Sequence, residues 1–157
     1  VLLERGELVR LAHYHLLLIA QDRRDDAAFA EHAKDYLAQM AREQAVVKQD
    51  IEQTMQIGYE RERAKDLRAL KTEELEVRAL LAEHHYDRKQ YESALVMLDR
   101  VLELDPSRSV DYYNRGRVLL AFGRAQDAKA DFRKFLATTN LPASSEKATF
   151  ATMALDR

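Results

Sequence analysis

The chain repeats itself at a spacing of 34 residues, and that repetition constrains its fold more than any other feature. Residues 75–108 (LEVRALLAEHHYDRKQYESALVMLDRVLELDPSR) laid over 109–142 (SVDYYNRGRVLLAFGRAQDAKADFRKFLATTNLP) bring Ala82 onto Gly116, Ala94 onto Ala128, Leu98 onto Phe132 and Val101 onto Phe135. A period of this length, with small residues at fixed offsets and a proline near the end, is the mark of a helix–turn–helix unit that is stacked. Neither helix of such a unit buries its apolar face alone, so neighbouring units must share a core. The small residues belong where helices cross, since a bulky side chain there drives the axes beyond their usual ~8–10 Å. Leu98, Val101 and Leu102, with Phe132, Phe135 and Leu136, are expected to fill the space between pairs. Gly123 gives the turn of the second pair, and Pro106 ends a helix and opens the connection.

The rest of the chain reads as helix too. Four glycines and two prolines in 157 residues leave few places for the tight turns that strands require. Leu8, Leu11, Ala12, His15, Leu16 and Ile19 recur at three- and four-residue spacings, which predicts a helix over 7–21 with that stripe on its buried side. QDRRDD then breaks the pattern with six polar residues, and Asp25 or Asp26 is placed to cap the next helix. From there the pattern runs without glycine or proline to Gly58. Its stripe of Phe29, Ala33, Tyr36, Leu37, Met40, Val47, Ile51 and Met55 would cover the first helix as an antiparallel hairpin. This front pair reads as a degenerate unit with a longer loop.

The segment YERERAKDLRALKTEELEVR alternates charges densely, with Glu62–Lys65 and Glu74–Arg78 at helical contact spacing. One helix from 26 to 72 kinked near Gly58, and two helices broken there, fit equally well, because glycine costs a helix only ~1 kcal/mol. The apolar stripe keeps a heptad-like spacing from Ala33 to Met55 but is interrupted at Gln44, which favours packing on the first helix over a coiled coil. ASSEKATFATMALDR reads as a terminal helix capped by Ser144 or Ser145, a lid over the last exposed face. Three segments result: 1–74, a helical hairpin with a long charged helix; 75–142, two repeats; and 143–157, a capping helix.

Several chemistries have no support in this sequence. Net charge is −2 with both signs interspersed, so there is no basic field for nucleic acid or an anionic membrane. The apolar run Leu16–Ala20, which no other run exceeds, falls far short of the ~20 residues that span a bilayer. Cysteine is absent, which removes disulfides, thiolate zinc sites and thiol nucleophiles. His13 and His15 diverge on a helix, as do His84 and His85, and no HExxH spacing exists, so no metal site is expected. No serine sits in a nucleophile elbow, and GRVLLAFGR is a helix and its turn rather than a phosphate loop. No cofactor and no enzymatic activity are expected.

DYYNRGRVLLAFGRAQDAKADFRKFL, with Tyr112, Gly116, Gly123, Ala128 and Phe132 at their consensus places, resembles the tetratricopeptide repeat family, and the resemblance covers 75–142. It departs from the pattern at Arg78, where a large aromatic is usual, at Arg115 in place of leucine and at Ala125 in place of an aromatic; Asn140 stands where Pro106 stood. The resemblance implies an all-α fold: a short α-solenoid of such helix hairpins, with an atypical N-terminal long-helix hairpin and a C-terminal capping helix. It also implies a non-enzymatic adaptor or scaffold that binds a partner peptide or helix in a concave groove lined by the first helix of each pair. The matching positions are Glu76, Ala79, Leu80, Glu83 and Tyr86 in the first repeat, and Val110, Tyr113, Asn114, Arg117 and Leu120 in the second. This set lacks a cluster of lysines and arginines, so an acidic C-terminal peptide is not the expected ligand. Two alternatives stand beside this reading: the long charged helix of the N-terminal region drives homo-oligomerisation, or the chain is an accessory domain of a larger protein. A groove filled by the chain's own middle helix also fits. Ala-, Arg- and Asp-rich usage, the absent cysteine and the missing initiator methionine suggest a bacterial source and an export or lipoprotein signal upstream.

Overall fold

The computed structural model describes the backbone of residues 2–53 and 57–156, and the side chains of 5–53 and 59–156. All regular structure among the described residues is helical: α1 (Leu2–Asp22), α2 (Asp26–Gln53), α3 (Ile57–Asp87), α4 (Tyr91–Leu104), α5 (Ser109–Ala121), α6 (Ala125–Thr138) and α7 (Glu146–Leu155). The chain divides into two compact units, Val1–Glu74 and Leu75–Arg157, with α3 contributing its first part to one and its last part to the other. Met55, the last residue of the expected α2 stripe, lies outside the described residues, as does the stretch in which a continuous helix would have to pass from Gln53 to Ile57.

In the first unit α1 and α2 pair antiparallel, and the turn between them is shorter than the polar run QDRRDD suggests. Helix α1 continues through Asp22, because its last carbonyls are satisfied by the turn itself: Arg24 N–H donates to Gln21 and Asp25 N–H to Ala20, at 3.1 and 2.9 Å. Arg24 takes the left-handed conformation that closes such an end (φ 56°). The Asp25 carboxylate then accepts from Ala28 N–H at 3.0 Å and caps α2. Phe29, Ala33, Tyr36, Met40 and Val47 form the buried stripe of α2; Leu37 and Ile51 are only half-buried.

The face α1 packs is not the one its apolar spacing predicts. Leu17 and Ala20 are buried, and so is Arg10, whereas Leu8, Leu11, Ala12, His15, Leu16 and Ile19 are exposed. The expected stripe is therefore the outer face. The inner face is chosen by close approach and by charge. Gly6 sits where a Cβ would meet Gln39 Nε2 at 2.7 Å, and the Arg10 guanidinium reaches Glu43 at 2.9 Å and also pairs with Glu73. The Tyr36 hydroxyl donates to Glu73 at 3.1 Å, tying α1, α2 and the first part of α3 together. Burial opposes the charge on Arg10, but its bonds to Glu43 and Tyr36 and the two carboxylates outweigh that and raise its pKa. Burial pushes Tyr36 up to about 12, with Glu73 adding to the rise and Arg10 opposing it. Further along, the Glu62–Lys65 pair expected from spacing forms at 2.7 Å on the exposed side of α3.

The second unit is two helix pairs and a closing helix. The end of α3 pairs with α4, and α5 with α6. Asp87 and Ala121, Tyr91 and Ala125, and Leu104 and Thr138 bound the corresponding helices, each 34 residues apart. The turns correspond as well: Lys89 (φ 59°) and Gly123 (φ 83°) occupy the same offset, and Gln90 N–H and Arg124 N–H reach back to His85 and Leu119 at 2.9 and 2.8 Å. The hydrogen bonding of the α1–α2 turn follows the same scheme. Ala82, Ala94, Leu95, Leu98, Tyr113, Val118, Leu119, Ala128, Phe132, Phe135 and Ala151 make one continuous core. A Cβ on Gly116 would lie 2.7 Å from the Phe132 ring, which is why the small residue is needed there. Ser145 caps α7 by accepting from Ala148 N–H at 3.3 Å.

Arg115, where a leucine would suit the pattern, makes a bidentate pair with the buried Asp131 at 2.7 and 2.8 Å and a third bond to Asp99 at 2.7 Å. The bonds to Asp131 raise its pKa against the cost of burial, with Asp99 adding to the rise. An ion bridge from α5 to both α4 and α6 thus stands in for an apolar contact. Beside it opens a cleft of about 290 Å³ with charged walls, where Arg124 pairs with Asp127 at 2.6 Å. Its charges are matched to one another.

Candidate partner-binding face

The face lined by the first helix of each pair is built on residues 75–87 of α3 and on α5. Two contacts set these helices side by side and parallel: Arg108 Nη1 donates to Glu76 at 2.8 Å, and the Arg117 guanidinium lies 4.7 Å from the centre of the Tyr86 ring. A three- and four-residue spacing along each helix then brings the ten expected positions to one side.

They differ in what they offer. Glu76, Glu83, Val110 and Leu120 are exposed, and Ala79, Leu80, Tyr86, Asn114 and Arg117 are half-buried. Tyr113 is buried. Its ring packs 5.3 Å from Phe135, 6.1 Å from Phe132 and 5.9 Å from Phe150, with the Lys147 ammonium 5.1 Å above it. Helix α7 thus takes the surface that Tyr113 would otherwise present. Burial raises the Tyr113 pKa, with Glu146 and Tyr86 adding to it and Arg117 opposing. The signal for this was the run of Ala148, Phe150 and Ala151, but sequence spacing cannot say which earlier helix a terminal helix will cover.

One end of the face is held by a charged network. Asp111 is buried and accepts from Arg108 Nε at 2.5 Å and from Asn114 Nδ2 at 3.3 Å, while Arg108 also reaches Glu76. Burial disfavours the Arg108 charge, but the bonds to Asp111 and Glu76 outweigh it and its pKa rises. Glu76 and Asn114 are therefore partly committed within the chain. The centre carries Arg117, stacked over Tyr86 and 5.9 Å from the Tyr113 ring. A guanidinium stacked this way is fixed in direction yet keeps donors at its edge, which suits a carboxylate or a backbone carbonyl. The far end is apolar, with Leu120 and the neighbouring Phe122 both exposed.

The histidines meet differently from their in-helix spacing. His13 and His32, from α1 and α2, bring their Nδ1 atoms to 3.4 Å. Among the described residues no group of three ligand-type side chains is set to hold a metal ion, and no helix is long and apolar enough to cross a membrane. No family model, no curated protein and no solved structure matches this chain.

Proposed function

We propose that this chain is a non-enzymatic adaptor, a short solenoid of tetratricopeptide-like hairpins that binds a partner peptide or helix across α3 and α5. The observation that carries the reading is the recurrence of helix bounds and turn conformation at 34 residues, together with the parallel alignment of those two helices. Repeats of this kind exist to present one extended surface built from equivalent positions. The surface here mixes the features of an interface centre: an aromatic ring, a stacked arginine and exposed aliphatic side chains at Val110 and Leu120. Glu83 and Glu76 give it acidic points for a basic partner, and Arg117 an electropositive one.

The test is affinity capture of partners from the native source by the tagged chain, compared with Arg117→Glu combined with Leu120→Glu. Because Arg117 also stacks on Tyr86, Leu120→Glu alone, at an exposed position, is measured beside it, and each variant is checked for unchanged helical circular dichroism and melting temperature. A protein bound by the original chain and lost by the variant supports the reading. A partner retained equally by both removes function from this face.

A further inference from the structure

We propose that the outer face of α1 is the interface of an antiparallel dimer of this chain. The proposal is independent of the α3–α5 face, and it differs from oligomerisation through the long charged region, because the apolar stripe of α2 is already buried within its own unit.

Six large apolar side chains on one helix of 21 residues are exposed: Leu8, Val9, Leu11, Leu16, Leu18 and Ile19, from 37% to 68%. Together they expose an area on the order of 500 Å², the upper end of what a monomer ordinarily shows. They are also ordered as a seam. Leu8, Ala12, His15 and Ile19 follow the four–three–four spacing of core positions between two helices, with Val9 and Leu16 along one flank and Leu11 and Leu18 along the other.

Charge selects the occupant and its direction. The seam ends at Arg5 and Asp22, both exposed. Against a second copy running antiparallel, each residue faces the one at the mirrored place: Leu8 meets Ile19, small Ala12 meets larger His15, and Arg5 meets Asp22. Two ion pairs then close the two ends of the seam. A parallel copy would set Arg5 against Arg5 and Asp22 against Asp22, which is repulsive at both ends. With the exposed Ala12, His15, Arg5 and Asp22 added, the face exceeds about 600 Å² per copy, the lower bound of a specific dimer. The symmetry is that of a two-fold pair, in which one patch complements itself.

Sedimentation equilibrium of the full chain tests this. The expected mass is twice 18.2 kDa at micromolar concentration. Leu8→Glu with Ile19→Glu, both at exposed positions, weakens association at least about tenfold with helicity unchanged. Arg5→Asp and Asp22→Arg each weaken it, and the two together restore it, as a double-mutant cycle reads a direct pair. The chain has no cysteine of its own, so direction is read by crosslinking: Leu8→Cys protein mixed with Ile19→Cys protein forms a disulfide, and neither does so alone. A monomer at every concentration overturns the proposal; if that monomer co-sediments with phosphatidylglycerol vesicles, the face belongs to a lipid surface instead. A dimer indifferent to Leu8→Glu/Ile19→Glu, or one in which Leu8→Cys protein crosslinks with itself, overturns it as well.

Discussion

Gly116 has no side chain because Phe132 occupies the place where one would go. The first pair solves the same crossing with Ala82 and Leu98 at the corresponding offsets, a larger residue on one helix and a smaller one on the other. Gly116→Ala is therefore expected to cost about 1–3 kcal/mol through overpacking, although alanine is the better helix former. Adding Phe132→Leu should recover part of that loss by reproducing the first pair, and urea denaturation of the single and double variants measures both. Tyr36 makes a second prediction, in alkali. An unfolded tyrosine ionises near 10, and Tyr36 in its buried place at about 12. Between those values the unfolded chain has released a proton that the folded chain still holds, so stability falls as pH rises. The contribution is whole below pH 10 and declines by on the order of 2 kcal/mol toward pH 12. Tyr36→Phe should flatten that decline in denaturation curves taken across this range.

Three turns share one conformation, but only one of them uses glycine. Arg24 and Lys89 hold the left-handed conformation at some cost, whereas Gly123 adopts it freely. Lys89→Gly and Arg24→Gly are expected to stabilise by up to about 1 kcal/mol, and Gly123→Ala to destabilise by a similar amount although its Cβ would touch nothing. Thermal unfolding of the three variants checks the signs. These turns also show what was legible in the sequence. A glycine at Gly123 announces a turn, and the 34-residue repetition carries it to Lys89, but nothing announces Arg24. The packed face of α1 departs from its apolar spacing for a related reason. Periodicity tells which side of a helix is apolar, not which side is packed, and here Gly6 and Arg10 decide the packing through contacts with Gln39, Glu43 and Glu73. The partners of Arg10 lie 33 and 63 residues away, beyond the reach of any local pattern. That the ten candidate positions share one side of their helices was legible, because one helix spacing serves both pairs; which of them are accessible was not. Tyr113 is the case in point, since its cover comes from α7.

The two compact units are not built alike. The first adds an ion network around Arg10 to the buried apolar stripe of α2 and Leu17 of α1, and the second has a continuous apolar core that α7 completes with Ala151 and the Phe150 ring. Truncation after Pro142 should uncover Tyr113, Phe132 and Phe135, lower the melting temperature and produce binding of a dye specific for exposed apolar surface. Unchanged melting and no dye binding would show that α7 is dispensable. The Arg115 bridge has a different consequence, for the order of the hairpins. Thirty-four residues before Arg115 stands Leu81, and thirty-four after Asp99 stands Arg133. A tandem copy of 109–142 would bring a second Arg115 against Arg133, like charge on like. A tandem copy of 75–108 would leave Asp99 facing a leucine. The joint between the hairpins is therefore particular to this pair in this order: copying either hairpin in tandem would not reproduce the Arg115–Asp99 contact.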